Sequence, residues 1–402
     1  MSSQTDSQAR HDTQTTPPGW LVLLLAVACG ATVANLYYAQ PLLPAFQTAF
    51  GVDAVTAGAL ITVTQLSYAA SLVLVVPLGD RAEKRRLTSW LLVVTTVALV
   101  GAGLAPNFPV LLIASLVSAA TSVVVQILLP FAADIAPAPA RGRIVGRVMS
   151  GLLTGVLLSR TIGGFLAEAA GWRAVYLISA ALMAILAVAL RLALPRHAPR
   201  TTISYGQLLR STVRLARVHA PLRRRALYQS ALFGAFSAFW TTISFVLSGP
   251  GFDYSELEIG VFALVGVGGA LIAPLAGRWA DHGRSRPMTA VAFIAAALAF
   301  GIAGFGAHSV IALGAAAVLL DMAVQTSMVL GQHTIYQLDE TARARLNSSY
   351  MATFFVGGAI GSFLGSFAFH LGGWSAVSIL GAACAVLALL YWCTEREHAT
   401  AA

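Results

Sequence analysis

The sequence predicts an all-α membrane protein with twelve transmembrane helices in two pseudo-symmetric bundles of six. Three observations carry this prediction: the composition, the spacing of the apolar segments and an internal repeat. Of the 402 residues, 57% are hydrophobic and only 10% are charged, and the mean hydropathy is +0.78. Because a soluble domain normally carries about 25% charged residues, much of this surface must face lipid.

Twelve apolar segments are long enough for helices that cross a bilayer, which need roughly 20 residues each. Each must be a helix, because an open strand edge cannot face lipid. We expect residues 1–18, which are polar and rich in Gln, Thr and Ser, to be a disordered cytoplasmic N-terminus. The segments lie at 19–40, 55–79, 88–106, 109–133, 144–168, 173–194, 226–248, 257–280, 288–306, 309–334, 347–370 and 374–393.

The basic residues predict the orientation. With the N-terminus inside, 23 of the 25 Lys and Arg residues fall on one side of the membrane. The exceptions are Arg173, in an outside loop, and Arg160, within a helix. Cytoplasmic loops carry such an excess, so we expect both termini in the cytoplasm of a bacterial-type inner membrane. The arginines lie in short clusters between apolar runs, which argues against a nucleic-acid surface.

The longest gap, residues 195–225, predicts a basic cytoplasmic linker between bundles at 19–194 and 226–393, with a short tail at 394–402. Two interpretations of the linker stay open. It forms an amphipathic helix that lies on anionic lipid, or it is a solvated charged connector.

The two bundles repeat one another at an offset of about 201–202 residues. The matches keep register across loops and helices, which indicates two equivalent six-helix halves of a secondary transporter. The matched pairs are Asp80 and Asp281, Arg141 and Arg343, Arg143 and Arg345, Met149 and Met351, Gly155 and Gly357, Gly163 and Gly365, and Trp172 and Trp374.

Two copies of a loop motif resemble the major facilitator superfamily. The segment from Val76 to Arg85 resembles its loop 2–3 signature, with Val76 and Glu83 at two glycine positions. The second copy, 277–286, is nearly complete.

The resemblance extends to the twelve-helix drug/proton antiporters of that superfamily. The run from Asn35 to Pro44 is similar to their first helix. The fifth helix keeps the glycine spacing of their antiporter signature but has Ser159-Arg160 where the signature has Gly-Pro. Ser115 and Ser118 occupy the region of the fourth helix where these exporters commonly have an arginine.

The loop motif predicts a cytoplasmic gate. An acid can be stabilised by a partner helix N-terminus and by nearby arginines. The resemblance therefore implies that Asp80 and Asp281 are latches that hold the outward-facing state; otherwise these residues only mark topology. The predicted gate residues are Asp80, Arg81, Arg85, Arg141, Arg143, Asp281 and Arg284.

Two ionisable residues lie at mid-depth in the predicted helices. Arg160 is in the fifth helix and Asp321 in the tenth, and a charge at that depth is costly unless it is paired or hydrated. We hypothesise that they pair across the two halves and that protonation of Asp321 weakens the pair during transport. The alternative is a fixed structural ion pair.

The first helix of each three-helix unit carries a polar or aromatic stripe at helical spacing. In the superfamily that the sequence resembles, those four helices line the central cavity. Such a cavity suits a moderately apolar organic solute, including a cationic one, although each residue is as well explained by helix packing. The predicted cavity residues are Asn35, Tyr38, Gln126, Gln229, Phe233, Phe236, Trp240, Gln325 and Gln332.

The sequence carries no phosphate-binding loop, zinc-ligand spacing or catalytic triad, so we expect no enzyme activity, cofactor or metal. The hypothesis is a monomeric, proton-coupled exporter of small organic molecules. The alternatives are a symporter or facilitator for sugars or other metabolites and, more remotely, a membrane sensor on a transporter scaffold.

Overall fold

The computed structural model describes residues 17–195, 204–339 and 342–395, and every regular element in these ranges is a helix. Most of the predicted N-terminus and tail, and part of the predicted linker, lie outside the described residues. The α-helices are α1 (Gly19–Ala34), α2 (Leu43–Phe50), α3 (Ala54–Leu74), α4 (Leu78–Arg81), α5 (Lys84–Gly103), α6 (Phe108–Thr121), α7 (Val124–Asp134), α8 (Arg141–Ala170), α9 (Trp172–Ala193), α10 (Tyr205–Val218), α11 (Ala220–Leu247), α12 (Glu256–Phe262), α13 (Val267–Asp281), α14 (Ser285–Phe305), α15 (Val310–Tyr336) and α16 (Arg343–Cys393).

Within the described ranges, ten helical stretches are long and apolar enough to cross a membrane. One of them, α16, is 51 residues long and is interrupted by non-helical backbone at Gly372 and Gly373. The shorter α1 is an apolar helix of 16 residues. The chain is therefore a multi-pass membrane protein.

The first helix ends at Ala34 rather than at residue 40, because the sequence that follows resists helix formation. Pro41 lacks the N–H that a helix needs, and Pro44 lies in the first turn of α2, where proline is tolerated. Residues 35–42 form successive turns whose side chains do not follow helical spacing.

Glycines join the first helix of each half to its fifth. The N-half (residues 17–195) packs Gly30 of α1 against Gly155 of α8, and the C-half (residues 220–395) packs Gly234 of α11 against Gly361 of α16. At both crossings a Cβ atom would collide with the facing backbone. The small residues thus let the helix backbones touch.

The two halves meet most closely at the end away from the arginine-rich loops, which we call the opposite end. Thr161 of α8 donates to the carbonyl oxygen of Gly260 at 2.7 Å, and the backbone N–H of Leu257 donates to Glu168 at 3.2 Å. The hydroxyls of Thr62 and Ser362 are 2.8 Å apart. These contacts close the opposite end.

At the other end, the basic end, ion pairs hold each half together internally. Lys84 lies 2.7 Å from Asp134 within the N-half. Arg225 lies 3.3 Å from Glu395 within the C-half. The predicted linker contributes α10 and the first turns of α11, which begins at Ala220 rather than at residue 226.

Candidate functional site

Arg160 lies beneath the turns that follow α1. Its Nε donates to Oε1 of Gln40 at 2.5 Å, and its guanidinium lies 4.9 Å from the ring centroid of Tyr37. Only 3% of Arg160 is exposed. The end of α1 at Ala34 makes this possible, because the turns bring Tyr37 and Gln40 over the α8 helix.

Trp240 of the C-half also contacts this guanidinium. Its ring lies 4.7 Å from the guanidinium carbon of Arg160, and its indole N–H donates to Oδ1 of Asp321 at 3.0 Å. Tryptophan is the aromatic residue that binds a cation best through its ring face. One side chain of α11 therefore contacts the buried cation of the N-half and the buried acid of the C-half.

The structure brings Arg160 and Asp321 to one site but places no direct ion pair between them. Their charged groups are not within 4.0 Å, because the indole of Trp240 lies against both. Asp321 fits here because two glycines face it: a Cβ on Gly266 would lie 2.7 Å from its Oδ2, and one on Gly269 would lie 3.4 Å from its Cβ. We call the contact series Gln40–Arg160–Trp240–Asp321 the cross-half array.

The array leaves part of the arginine's hydrogen-bonding capacity unused. Nη2 of Arg160 is buried and has no hydrogen-bond partner. A buried guanidinium held by one amide and two aromatic rings keeps a large desolvation cost. The array therefore holds a buried cation whose hydrogen bonds are only partly satisfied.

The predicted aromatic residues form a continuous series that leads from the array into the N-half. Phe236 lies 6.1 Å from Trp240 and 5.3 Å from Phe233, between ring centroids. Phe233 then contacts Phe355 at 5.5 Å, and Phe355 contacts Tyr68 of α3 at 4.6 Å. Phe233 and Trp240 are buried, whereas Phe236 is half-buried.

The predicted glutamines have different surroundings in the structure. Gln126 donates to the hydroxyl of Tyr68 at 3.4 Å and therefore joins the aromatic series. Gln229 is fully buried and donates to the carbonyl oxygen of Val324. Gln325 is half-buried one turn from Asp321, and Gln332 donates to Asn347 near the basic end.

Asn35 and Tyr38 make contacts within the N-half. Asn35 accepts from Ser179 at 2.7 Å and donates to the sulfur of Met183, both on α9. Tyr38 packs against Gly163 of α8. These contacts stabilise the N-half internally, because the turns after Ala34 redirect both side chains.

The predicted gate residues lie at the basic end. The ion pair and hydrogen bonds that follow are all made within one half. Asp281 lies 3.6 Å from His333 of the C-half. Arg85 donates to the carbonyl oxygen of Leu194, and Arg141 donates to that of Ala133. In the described part of the chain, Asp80 forms no ion pair with the arginines of the predicted gate.

Sequence reasoning missed Tyr37, Gln40 and Gln65. Gln65 donates to Ser237 at 2.8 Å and so adds a second polar contact between the halves. Tyr37 and Gln40 fall in the run that resembles the first helix of exporters, and the prolines next to them were the available signal. Among the described residues, no three potential metal ligands come together.

Comparison with known proteins identifies the relatives of this chain. The Major Facilitator Superfamily model matches residues 23–337 and 251–402. An uncharacterized transporter of Escherichia coli, YgaY, is 40% identical over 372 residues, which cover 92% of this chain and 94% of the relative. A probable transporter of Streptomyces coelicolor, SCO4007, is 37% identical over 90% of this chain and 85% of its own length.

Solved structures share the fold. A bacterial homologue of the human lysosomal transporter Spinster, inward-facing and occupied, matches with a TM-score of 0.73 at 15% identity, over 93% of this chain and 95% of that one. A POT family transporter in complex with 5-aminolevulinic acid has the same TM-score at 15% identity, over 92% and 94%. The chain is a transporter rather than an enzyme, and it belongs to the Major Facilitator Superfamily.

Proposed function

We propose that this chain is a secondary active transporter that exports small organic molecules in exchange for protons by alternating access. It has twelve spans in bundles at 19–194 and 226–393, joined by the linker 195–225. It lies in the inner membrane with both termini in the cytoplasm, so that the basic end faces the cytoplasm. It works as a monomer.

The cross-half array is the observation that carries this proposal. A carboxylate and a guanidinium, both buried, come from different halves and share one indole. Ionisable groups at this depth are costly and are retained at coupling sites. Because Trp240 and Asp321 belong to the C-half and Arg160 to the N-half, any rocking of the halves at the opposite end must break the array.

The state of the array determines when the carrier can change the side to which it is open, as exchange requires. With Asp321 charged and no solute bound, the array holds the opposite end closed, so the empty carrier stays open to the cytoplasm. Solute that enters between the halves displaces the aromatic series and opens the opposite end. A proton from outside then neutralises Asp321, which removes its attraction for Arg160 and weakens the array until the carrier has returned and released the proton.

The half-buried side chains beside the array form the solute path. Phe236, Gln325 and Gln126 lie on three different helices around the aromatic series. At the basic end, Asp80 and Asp281 form their latches only after the carrier has closed there.

Inverted membrane vesicles test the proposal. A growth or resistance screen in a transporter-deficient host first identifies a solute. A proton gradient with an acidic vesicle lumen should then drive accumulation of that solute, because protons that leave the lumen are exchanged for solute that enters it. Asp321→Asn should abolish this accumulation while leaving solute exchange intact. Asp53→Asn, in an outer loop, is the matched control.

Gradient-driven loss of solute from the vesicles would instead support a symporter. Undiminished proton-driven accumulation by Asp321→Asn would refute the role of Asp321.

A further inference from the structure

The linker helix α10 presents one face of exposed arginines. Arg210, Arg214 and Arg217 are all exposed, and Val213 between them is 44% exposed. Positions i, i+3, i+4 and i+7 share one face of a helix. The face therefore combines three cations with an exposed apolar side chain.

The other face of α10 is anchored to the transporter. Leu208 and Thr212 are buried. Arg345 of α16 donates to Ser211 at 2.9 Å, and Ser349 donates to the carbonyl oxygen of Thr212. A capping box at Ser204 fixes the start of the helix. The arginine face is thus held in a fixed orientation.

The start of α10 lies at the depth of the membrane-spanning helices. The hydroxyl of Tyr205 donates at 2.6 Å to the carbonyl oxygen of Leu74, where α3 ends. That carbonyl is available because the helix breaks at Pro77, and Leu78 donates to Val75 instead. The arginine face therefore follows directly on a contact with the end of a predicted membrane span.

The sequence around α10 is strongly basic. Ten arginines and not a single Asp or Glu occur between residues 169 and 252, although one of the ten, Arg173, belongs to a predicted outside loop. Arg223, at the start of α11, donates to the backbone carbonyls of Ala216 and Arg217 and so closes the corner between the two helices. Exposed arginines favour phosphate groups, and beside the end of a membrane span the available phosphates are those of lipids.

We propose that the α10 face, formed by Arg210, Val213, Arg214 and Arg217, binds the headgroups of anionic phospholipids. The arginines contact phosphodiesters, while Val213 enters the region below the headgroups. Since Tyr205 contacts the N-half and Ser211 the C-half, a bound lipid also holds the spacing of the halves at the basic end. Transport should therefore depend on the anionic lipid content of the membrane.

The test titrates the purified full-length protein in neutral detergent with dioleoylphosphatidylglycerol and counts bound lipids by native mass spectrometry. Dioleoylphosphatidylcholine and inorganic phosphate are parallel probes. Near an anionic surface each arginine typically contributes about fivefold in affinity, so the triple variant R210Q/R214Q/R217Q should bind phosphatidylglycerol roughly 100-fold more weakly. Binding of phosphatidylcholine should not change.

The control variant R86Q/R147Q/R191Q removes the same charge from exposed positions in the N-half and should bind phosphatidylglycerol like the unaltered protein. Equal losses of phosphatidylglycerol binding in both triple variants would show that net charge alone attracts the lipid, and would overturn the proposal. Stabilisation of the protein against heat by inorganic phosphate, equal to that by phosphatidylglycerol, would overturn docking on lipid. If the triple variant does not fold, Arg214→Gln alone should show about fivefold weaker binding, and unchanged binding would refute the proposal.

Discussion

Replacing Trp240 by Phe should open the opposite end of the molecule. The change removes the indole N–H that donates to Asp321 at 3.0 Å, and it weakens the ring contact with Arg160. Because Trp240 and Asp321 both belong to the C-half, only the ring contact with Arg160 crosses the halves. A cation–π contact contributes about 0.5–2 kcal/mol, and Phe binds a cation less well than Trp. Since every 1.4 kcal/mol is a factor of ten, the ratio of open to closed molecules should rise by up to about 30-fold.

Spin-label distances measure this ratio directly. Labels at Ala49→Cys and His308→Cys lie on exposed positions of different halves at the opposite end. The half-buried Cys384 and the exposed Cys393 are first replaced by Ala. The open and closed states should give a longer and a shorter distance between the labels. The fraction of molecules with the longer distance should be larger in Trp240→Phe than in the unaltered protein.

Trp374→Phe provides the matched control. The indole N–H of Trp374 donates at 2.9 Å to the carbonyl oxygen of Ala303, and both residues belong to the C-half. The same chemical change at that position leaves the contact between the halves intact. Equal distance distributions in Trp240→Phe, Trp374→Phe and the unaltered protein would refute the reasoning about the array.

Three further predictions concern other contacts. Gly164→Ala should hold the opposite end apart, since a Cβ there collides with the backbone of Glu256. Gly142→Ala, where a Cβ meets open space, should leave the opposite end closed. The same spin labels measure both variants. Asp80→Ala and Asp80→Asn should both slow transport by removing the latch, and wild-type rates in both would exclude it. Hydrogen bonds from Thr56 lower the pKa of Asp53, which is the N-cap of α3. This cap therefore stabilises the fold at pH values above the ordinary aspartate pKa, and its contribution is lost as the pH falls through the lowered pKa. Thermal unfolding of Asp53→Ala should therefore lose this acid dependence.

The membrane class and the positions of most spans could be predicted from the sequence, because hydropathy constrains them strongly. The superfamily was indicated by the loop motifs and is confirmed by the match of its model. The end of the first helix was harder to predict. Gly and Pro occur within many membrane helices, so the prolines at 41 and 44 did not by themselves mark a boundary.

The candidate site could likewise be predicted only in part. Arg160 and Asp321 stood out because charges are rare at mid-depth, and the structure places them in one site. The intervening Trp240 could not be predicted as their bridge, since its stripe on α11 is equally typical of packing. Gln40 was missed because its partner Arg160 is 120 residues away and the contact depends on a turn.

Lys84 is the only lysine in the chain, and 7% of it is exposed beside Asp134. A reagent that reacts with side-chain amines can therefore modify only one side chain. It lies at the start of α5, beside the predicted latch of the N-half. The rate at which an amine-reactive reagent acylates Lys84 reports how often that ion pair opens. The native sequence thus contains one side-chain amine that probes motion at the basic end, with no mutation required, once its acylation is distinguished from that of the backbone amino terminus.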